Sequence, residues 1–247
     1  MKRGSLLALV VCLTARLASA ATAGETRRFE STVATSVALD YLLYLPEGYA
    51  SGADQRWPLL LFLHGSGGYG ESLDAVRKGG LPKLLESGRA IPAIVVAPQA
   101  RSWWDENIQA LVALLDDLGR AYRVDPDRVY VTGLSAGGSG TWALITQQPD
   151  RFAAAIPICG AGSRAGIKRL VDLPIWVFHG AKDPVQPVEE STRLVEALRA
   201  QGGTRVKITV YPDAEHDAWT RTYDDPAVWE WLFAQRRVPQ DAKPEGK

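Results

Sequence analysis

A serine lies at the centre of the segment Gly133-Leu-Ser-Ala-Gly137, between an apolar run and a segment of helical composition. Glycine at both ends and alanine after the serine leave room for two backbones to cross at a tight turn. Such a strand–turn–helix arrangement exposes the hydroxyl group and aims the first N–H groups of the helix at it. The pattern therefore predicts that Ser135 is a nucleophile, and the alternative is a glycine-rich turn with an incidental serine.

An activated serine needs an imidazole within hydrogen-bond distance, and the chain contains three histidines. His64 and His179 each follow an apolar run and precede a glycine. We expect His64 to brace its loop and His179 to pack and cap at the end of its strand. His216 lies in a polar loop after the last predicted strand, where a triad in the chain order Ser, Asp, His would place its base. We predict that His216 is the base, and the alternative is a surface histidine.

The third group of such a triad is a carboxylate that fixes the histidine tautomer. Asp183 lies in the loop after the penultimate predicted strand. Asp172 precedes that strand, which places it at the opposite end of the sheet. Asp213 and Asp217 are so close to His216 in sequence that they would more naturally shape its loop. We therefore predict that Asp183 orients the histidine.

Strands and helices that alternate along the chain must position these groups. Residues 27–45 predict two antiparallel strands at one edge of a sheet, and apolar runs predict buried parallel strands. Segments 123–127 and 146–150 are predicted to be stops, where one helix or strand ends before the next begins. This alternation predicts an α/β protein, with a mostly parallel central sheet, an antiparallel N-terminal edge and helices on both faces. The predicted parallel strands are 58–63, 93–97, 128–132, 153–158, 175–178 and 205–211, and the helices are 107–122, 138–148, 188–201 and 226–235.

Four loops with polar groups follow the carboxyl ends of these strands. They begin at His64, Ser135, His179 and Ala214. Ligands of parallel sheets bind beyond the carboxyl ends of the strands, so we expect these loops to converge on one site.

Composition narrows the classes of function. The chain has 247 residues, 46% of them hydrophobic, which suits one α/β domain with a full core. Its formal net charge is +0, and no clustered basic face is evident, so we expect no nucleic-acid partner. The histidines are far apart in sequence and show no metal-ligand spacing, so we predict neither a metal nor a cofactor.

The N-terminus has the features of a secretory signal peptide. A positive start precedes an apolar stretch, and Ala18-Ser-Ala20 resembles a cleavage site. We predict residues 1–20 to be a signal peptide, cut after Ala20, and the mature protein to be exported to the periplasm or the medium. A membrane anchor is the alternative, but the stretch is short and Arg16 interrupts it. We therefore expect no membrane anchor in the mature form.

The predicted mature chain is one domain over residues 21–238, followed by a charged, proline-bearing tail at 239–247 that we expect to be disordered. Cys159 is the one cysteine left after cleavage, which excludes an intramolecular disulfide. It lies in an apolar run, and we expect a buried structural thiol.

From Trp57 to about Arg236 the chain resembles the serine esterases of the α/β-hydrolase superfamily. Within them it is similar to a secreted bacterial group called phospholipase/carboxylesterase or predicted peptidase, which is related to polyhydroxybutyrate-depolymerase-like and feruloyl-esterase-like enzymes. One departure is Glu215, where relatives often have glycine before the histidine. The segments that carry the resemblance are 63–68, 96–99, 125–138, 149–153, 178–185 and 211–219.

This resemblance implies an α/β-hydrolase fold and a reaction. The oxyanion hole would use the backbone N–H groups of Ala136 and Ser66, with Gly67 as the second choice for Ser66. The enzyme would cleave carboxylic esters, in small molecules or polymers, through an acyl-enzyme and without a cofactor. Two alternatives remain, namely a serine peptidase of the prolyl-oligopeptidase type and a non-catalytic binding module on a hydrolase fold.

Tryptophans near the predicted site offer candidate substrate contacts. Trp103 and Trp104 are adjacent and follow a predicted strand end, and Trp219 lies three residues after His216. Each of the three tryptophans either packs in the core or forms a wall for substrate. We carry all three forward as substrate-binding candidates.

Overall fold

The computed structural model describes residues 36–51, 54–70 and 72–237. Its strands form one seven-stranded sheet in the order β1-β3-β2-β4-β5-β6-β7. β1 pairs with β3 in the antiparallel direction, and every other pair is parallel. The predicted fold class is thereby confirmed. The strands are β1 (Tyr41–Tyr44), β2 (Trp57–Leu63), β3 (Ile94–Pro98), β4 (Val124–Leu134), β5 (Ala154–Ile158), β6 (Ile175–Gly180) and β7 (Val206–Tyr211).

All six predicted parallel strands are present, and the largest difference concerns the start of β4. That strand begins at Val124, inside the segment predicted to be a stop. Val124 pairs with Trp57 and Val129 with Leu59, so the register shifts between these two pairs. An irregular stretch of this kind accommodates Pro126, which has no N–H group for a regular ladder.

Some N-terminal and C-terminal predictions lie outside the described residues. Of the two antiparallel strands predicted over 27–45, β1 is present, whereas residues 27–35 are not described. The predicted signal peptide (1–20) and tail (239–247) lie outside as well. Among the residues that are described, no helix is long and apolar enough to cross a membrane.

The described α-helices number seven, and four of them match predictions. The other three are α1, α2 and α6, which have five to seven residues each and are too short to show a helical period. The helices are α1 (Leu73–Arg77), α2 (Gly80–Glu86), α3 (Ile108–Ala121), α4 (Ala136–Gln147), α5 (Glu189–Ala200), α6 (Trp219–Asp224) and α7 (Pro226–Ala234).

Two hydrophobic layers cover the faces of the sheet. β2 is buried along its whole length and alternates between them, with Leu59 and Leu61 on one face and Leu60 and Phe62 on the other. Buried residues of α3, α4 and α5 pack on the first face, and those of α1, α2, α6 and α7 on the second. This double cover buries the parallel strands on both sides, which leaves the loops at their ends to build a site.

Candidate active site

Ser135 occupies a strained turn between β4 and α4. Its φ of 55° and ψ of −120° are unusual for a residue with a side chain, and such conformations cost about 1–3 kcal/mol. A Cβ on Gly133 would lie 2.2 Å from the carbonyl oxygen of Gly137, and one on Gly137 would lie 1.9 Å from that of Leu63. Both glycines are therefore required by the close crossing of the backbones, as the sequence pattern predicted.

The three predicted triad residues lie in contact. Nε2 of His216 is 2.9 Å from Oγ of Ser135, and Nδ1 of His216 is 2.7 Å from Oδ2 of Asp183. They come from the loops after β4, β6 and β7, so the carboxyl ends of these strands converge as expected. The side chain of His216 is 20% exposed whereas that of Asp183 is fully buried, so the imidazole is the member of this pair that solvent can reach.

The carboxyl group of Asp183 has hydrogen-bond donors on both oxygens. Oδ1 accepts from the backbone N–H groups of Val185 and Gln186, each at 2.9 Å, and Oδ2 faces His216. Burial raises the pKa of Asp183, but the hydrogen bonds from His216, Gln186 and Val185 outweigh it and the pKa is lowered. An ionised Asp183 accepts the Nδ1 hydrogen of His216, which leaves Nε2 free to accept a proton from Ser135.

The loops that carry Asp183 and His216 are packed backbone to backbone. A Cβ on Gly180 would lie 1.9 Å from the carbonyl oxygen of Glu215, and Lys182 N donates to Ala214 O at 3.0 Å. The side chain of Glu215 is exposed. The departure from glycine at Glu215 is therefore tolerated, because the close approach uses its backbone and requires glycine at Gly180 instead.

His64 braces the loop after β2, as predicted. Its ring is buried, Nδ1 donates to Gly65 O at 2.7 Å, and Nε2 accepts from Ala100 N at 3.1 Å. A Cβ on Gly68 would lie 2.5 Å from the ring, so the loop wraps closely around it. Burial lowers the pKa of His64 despite its bond to Gly65, which favours the neutral ring that this geometry needs.

The braced loop lies against Ser135. A Cβ built on Gly65 would be 3.5 Å from Cβ of Ser135. Ser66 and Gly67 begin a 3₁₀ turn and Ala136 begins α4, and the first N–H groups of such elements have no acceptor within the helix. The backbone of both elements thus offers N–H donors beside the serine, which is the chemistry of an oxyanion hole.

A cleft of about 360 Å³ opens at Ser135 and His216. Phe62, Val76 and Trp219 contribute apolar walls, and Lys78 lies at the same cleft. The cleft wall formed by α1 and α2 was missed by sequence reasoning. One local signal could have found α1, because the side chain of Ser72 caps it by accepting from Asp74 N, and serine before a short apolar segment is a common helix start.

The three candidate tryptophans have different environments. Trp104 is 1% exposed and packs against Gly140 of α4, where an added Cβ would lie 2.5 Å from that of Trp104. Its interpretation as a substrate contact is therefore wrong, and it is a core residue. Trp103 is 62% exposed and contacts the ring of Tyr69, but it is not among the described residues that line the cleft. Trp219 lines the cleft and meets the ring of His216 edge to face, 5.2 Å between centroids.

Cys159 is buried beside the triad. Its Sγ donates to the carbonyl oxygen of His216 at 3.3 Å, and burial raises its thiol pKa to about 12. The thiol is therefore inert and holds the loop of His216, in agreement with the predicted structural role.

The structure brings together a group of three residues whose spacing in sequence did not predict it. Potential ligand atoms of Cys159, His179 and Asp183 lie within 4.8 Å of one another. All three side chains make hydrogen bonds within the protein, and none is left unpartnered toward a metal.

Comparison with known proteins defines the class. The dienelactone hydrolase family matches residues 89–232, which is more than half of the chain. A crystal structure of a thermostable esterase superposes with a TM-score of 0.70 at 35% identity, covering 82% of this chain and 60% of that one. Together with the sheet order, these matches establish an α/β-hydrolase fold. The chain belongs to the dienelactone hydrolase family.

Curated relatives include proteins named as esterases and one named as a depolymerase. A protein of Aspergillus terreus (strain NIH 2624 / FGSC A1156) that is named as a feruloyl esterase C is 29% identical over 202 residues, covering 77% of this chain and 72% of that protein. A poly(3-hydroxyalkanoate) depolymerase C of Paucimonas lemoignei is 30% identical over 139 residues, 49% of this chain and 31% of the relative. The chain spans less than half, 46%, of a Nocardia uniformis subsp. tsuyamanensis protein named as an esterase, with 28% identity.

Proposed function

We propose that this protein is a serine esterase that cleaves carboxylic esters through an acyl-enzyme. The observation that carries the proposal is the continuous hydrogen-bonded chain from Ser135 Oγ through His216 to Asp183. The names of the homologues support an ester as the substrate. Nucleophile, base and carboxylate together are the arrangement that activates a hydroxyl group at neutral pH.

In the first half of the reaction, Ser135 Oγ attacks the ester carbonyl while His216 Nε2 takes its proton. Asp183 stabilises the imidazolium that forms. The negative charge on the carbonyl oxygen is met by the N–H groups of Ala136 and Ser66, with Gly67 as the second choice for Ser66. Each such donor contributes about 2.7–4 kcal/mol of transition-state stabilisation. The alcohol leaves with the proton from His216, and the acyl group stays on Ser135.

In the second half, water replaces the alcohol. His216 removes a proton from the water as its oxygen attacks the acyl carbon, and the proton returns to Ser135 as the acid departs. The chain's own residues supply each of these steps, so the proposed reaction uses no cofactor. The cleft's apolar walls, including Trp219, suit an ester with an apolar or flat group, either in a small molecule or at the surface of a polymer.

We also propose that the protein is exported, with residues 1–20 removed as a signal peptide. The positive start, apolar stretch and Ala18-Ser-Ala20 support this. N-terminal sequencing of protein recovered from the periplasm or the medium should begin at Ala21. Recovery of full-length chain from the membrane fraction would instead indicate an anchor.

The test of the esterase compares Ser135→Ala with Ser139→Ala, a nearby serine whose hydroxyl accepts a bond from Ala161 N and stands outside the proposed chemistry. Ser135→Ala should lose fluorophosphonate labelling and about 10⁶-fold in kcat. Ser139→Ala should retain both. A wild-type protein that takes up no label would be a binding module, and amide cleavage as fast as that of a matched ester would identify a peptidase.

A further inference from the structure

A second imidazole, that of His179, lies buried behind the triad. Its side chain is fully buried, as is that of Asp183, and Nε2 is 3.2 Å from Asp183 Oδ2. Nε2 is also 2.8 Å from Gln186 O, and Nδ1 is 2.7 Å from Ser191 Oγ. The proposed reaction assigns no step to this ring, so its placement needs a separate account.

The neighbours of His179 determine which nitrogen carries the hydrogen. Nε2 faces a carbonyl and a carboxylate oxygen, which can only accept, so Nε2 must be the donor. Nδ1 faces the hydroxyl of Ser191, which can donate to it. Ser191 Oγ is 3.5 Å from Gly160 O, a longer and weaker alternative. The ring is therefore oriented with its Nε2 hydrogen bonded to Gln186 O, and the same nitrogen lies 3.2 Å from Asp183 Oδ2.

Asp183 Oδ2 thus lies between two imidazoles. His216 Nδ1 approaches at 2.7 Å and His179 Nε2 at 3.2 Å, while Oδ1 is held by two backbone N–H groups. His179 Nε2, bonded to Gln186 O, fills the space beside Oδ2, and a buried carboxylate that loses such a polar neighbour can rotate away from His216. Of these contacts, His216 makes only the one with Oδ2, so the orientation of Oδ2 decides how the carboxylate meets the base.

We propose that His179 is a positioning residue, which holds Oδ2 of Asp183 in the orientation that accepts the Nδ1 hydrogen of His216. The inference rests on the proposed function, in which Asp183 orients the base. Two imidazoles then flank the carboxylate, that of His216, which moves a proton, and that of His179, which stays fixed. The competing account is that His179 only ties Gln186 to Ser191 at the start of α5, in which case any loss would be one of stability.

Two polar replacements of similar size separate these accounts. In His179→Gln the side-chain amide nitrogen reaches about the position of Nε2, where it can still donate to Gln186 O and lie beside Asp183 Oδ2. In His179→Asn it reaches only the position of Nδ1, beside Ser191. We expect His179→Asn to lower kcat by about 10- to 100-fold, the loss typical when a residue that orients a metal ligand is replaced, with KM unchanged. His179→Gln should recover most of kcat. Equal kcat in the two folded variants would overturn the proposal.

A double-mutant cycle with Asp183→Asn tests whether His179 acts through the carboxylate. If it does, His179→Asn should lower kcat no further once Asp183 is replaced, whereas independent effects would multiply. Multiplying losses therefore overturn the proposal. If His179→Asn does not fold, the same cycle is run with Ser191→Ala, which leaves His179 but removes the bond that orients its ring.

The kinetic constants and the thermal unfolding are measured for each purified mature variant and for Ser135→Ala. An active Ser135→Ala would reject the esterase proposal itself. An inactive Ser135→Ala together with equal His179 variants would reject the positioning role alone, so the two failures are distinct.

Discussion

The indole Nε1 of Trp104 donates a hydrogen bond of 2.9 Å to the carbonyl oxygen of His64. The two rings are 4.7 Å apart between centroids, and the imidazole in turn holds Ala100 and Gly65. A core tryptophan under α4 is therefore linked to the loop that offers N–H donors beside Ser135. The side chain of its sequence neighbour Trp103 is largely exposed.

Replacing Trp104 should destabilise the protein, whereas replacing Trp103 should not. We expect Trp104→Ala to lower the free energy of unfolding by about 3–5 kcal/mol, because it empties a buried site and leaves His64 O without its donor. Trp103→Ala should change it by about 0.5 kcal/mol or less, as at other exposed positions. Urea unfolding of both variants checks this. A larger loss for Trp103→Ala would contradict the assignment of Trp104 to the core.

Neutralising Asp183 should disable the enzyme without removing the nucleophile. We expect Asp183→Asn to lower kcat by about 10⁴-fold, because the histidine loses the partner that fixes its tautomer. Asp213→Asn is the matched control, since Asp213 lies near His216 in sequence but pairs with Arg221 at the surface. Ester hydrolysis should be nearly unchanged in the control. A greater loss from Asp213→Asn would mean that the carboxylate is misassigned.

Trp219 should influence which esters are cleaved. Its ring lines the cleft and meets His216 edge to face. We expect Trp219→Ala to reduce kcat/KM by about tenfold for esters with an aromatic group, the order of one lost aromatic contact, and to affect acetyl esters less. Trp103→Ala, outside the described lining of the cleft, serves as the control. Equal losses for every ester would point to a disturbed His216 rather than to substrate binding.

Stability should depend on pH through His64. Burial holds the pKa of His64 below its ordinary value of 6.5, so between the two pKa values the unfolded chain binds a proton that the folded protein does not. The free energy of unfolding should therefore fall as the pH drops below about 6.5. In His64→Gln, whose amide oxygen can still accept from Ala100 N, this part of the decline should be missing. Urea unfolding at intervals of about half a pH unit, from about pH 7.5 to about pH 5, measures how the free energy of unfolding changes with pH in the wild type and in His64→Gln. Identical slopes in the two proteins would exclude His64 as the source of the decline.

Two glycine-to-alanine changes should have opposite effects. Gly137→Ala places a Cβ 1.9 Å from the carbonyl oxygen of Leu63, which is backbone and cannot yield, so we expect loss of soluble folded protein. Gly119 lies on the exposed side of α3, where an added Cβ would have nothing within 4 Å. Gly119→Ala should therefore stabilise the protein by about 0.4–1 kcal/mol. The yield of soluble protein checks the first change, and thermal unfolding checks the second. A folded and fully active Gly137→Ala would contradict the close crossing at the nucleophile.

The sequence by itself determined the fold class and the identity of the three contacting side chains. Buried parallel strands appear as continuous apolar runs, and the glycines around Ser135 mark a backbone crossing that few other structures need. With one serine at such a turn and three histidines in the chain, few combinations remained for a triad. The chain order of the loops then distinguished His216 from His64 and His179.

Only the tertiary structure decided which tryptophan is buried and how Asp183 is surrounded. Trp103 and Trp104 are adjacent and chemically identical, and their exposures differ because Gly140 of α4 leaves room for just one of them. The position of His179 beside Oδ2 of Asp183 likewise depends on how the loop after β6 closes onto α5, with Gln186 and Ser191 as partners. Contacts of this kind join residues through space, and neither periodicity nor composition encodes them locally.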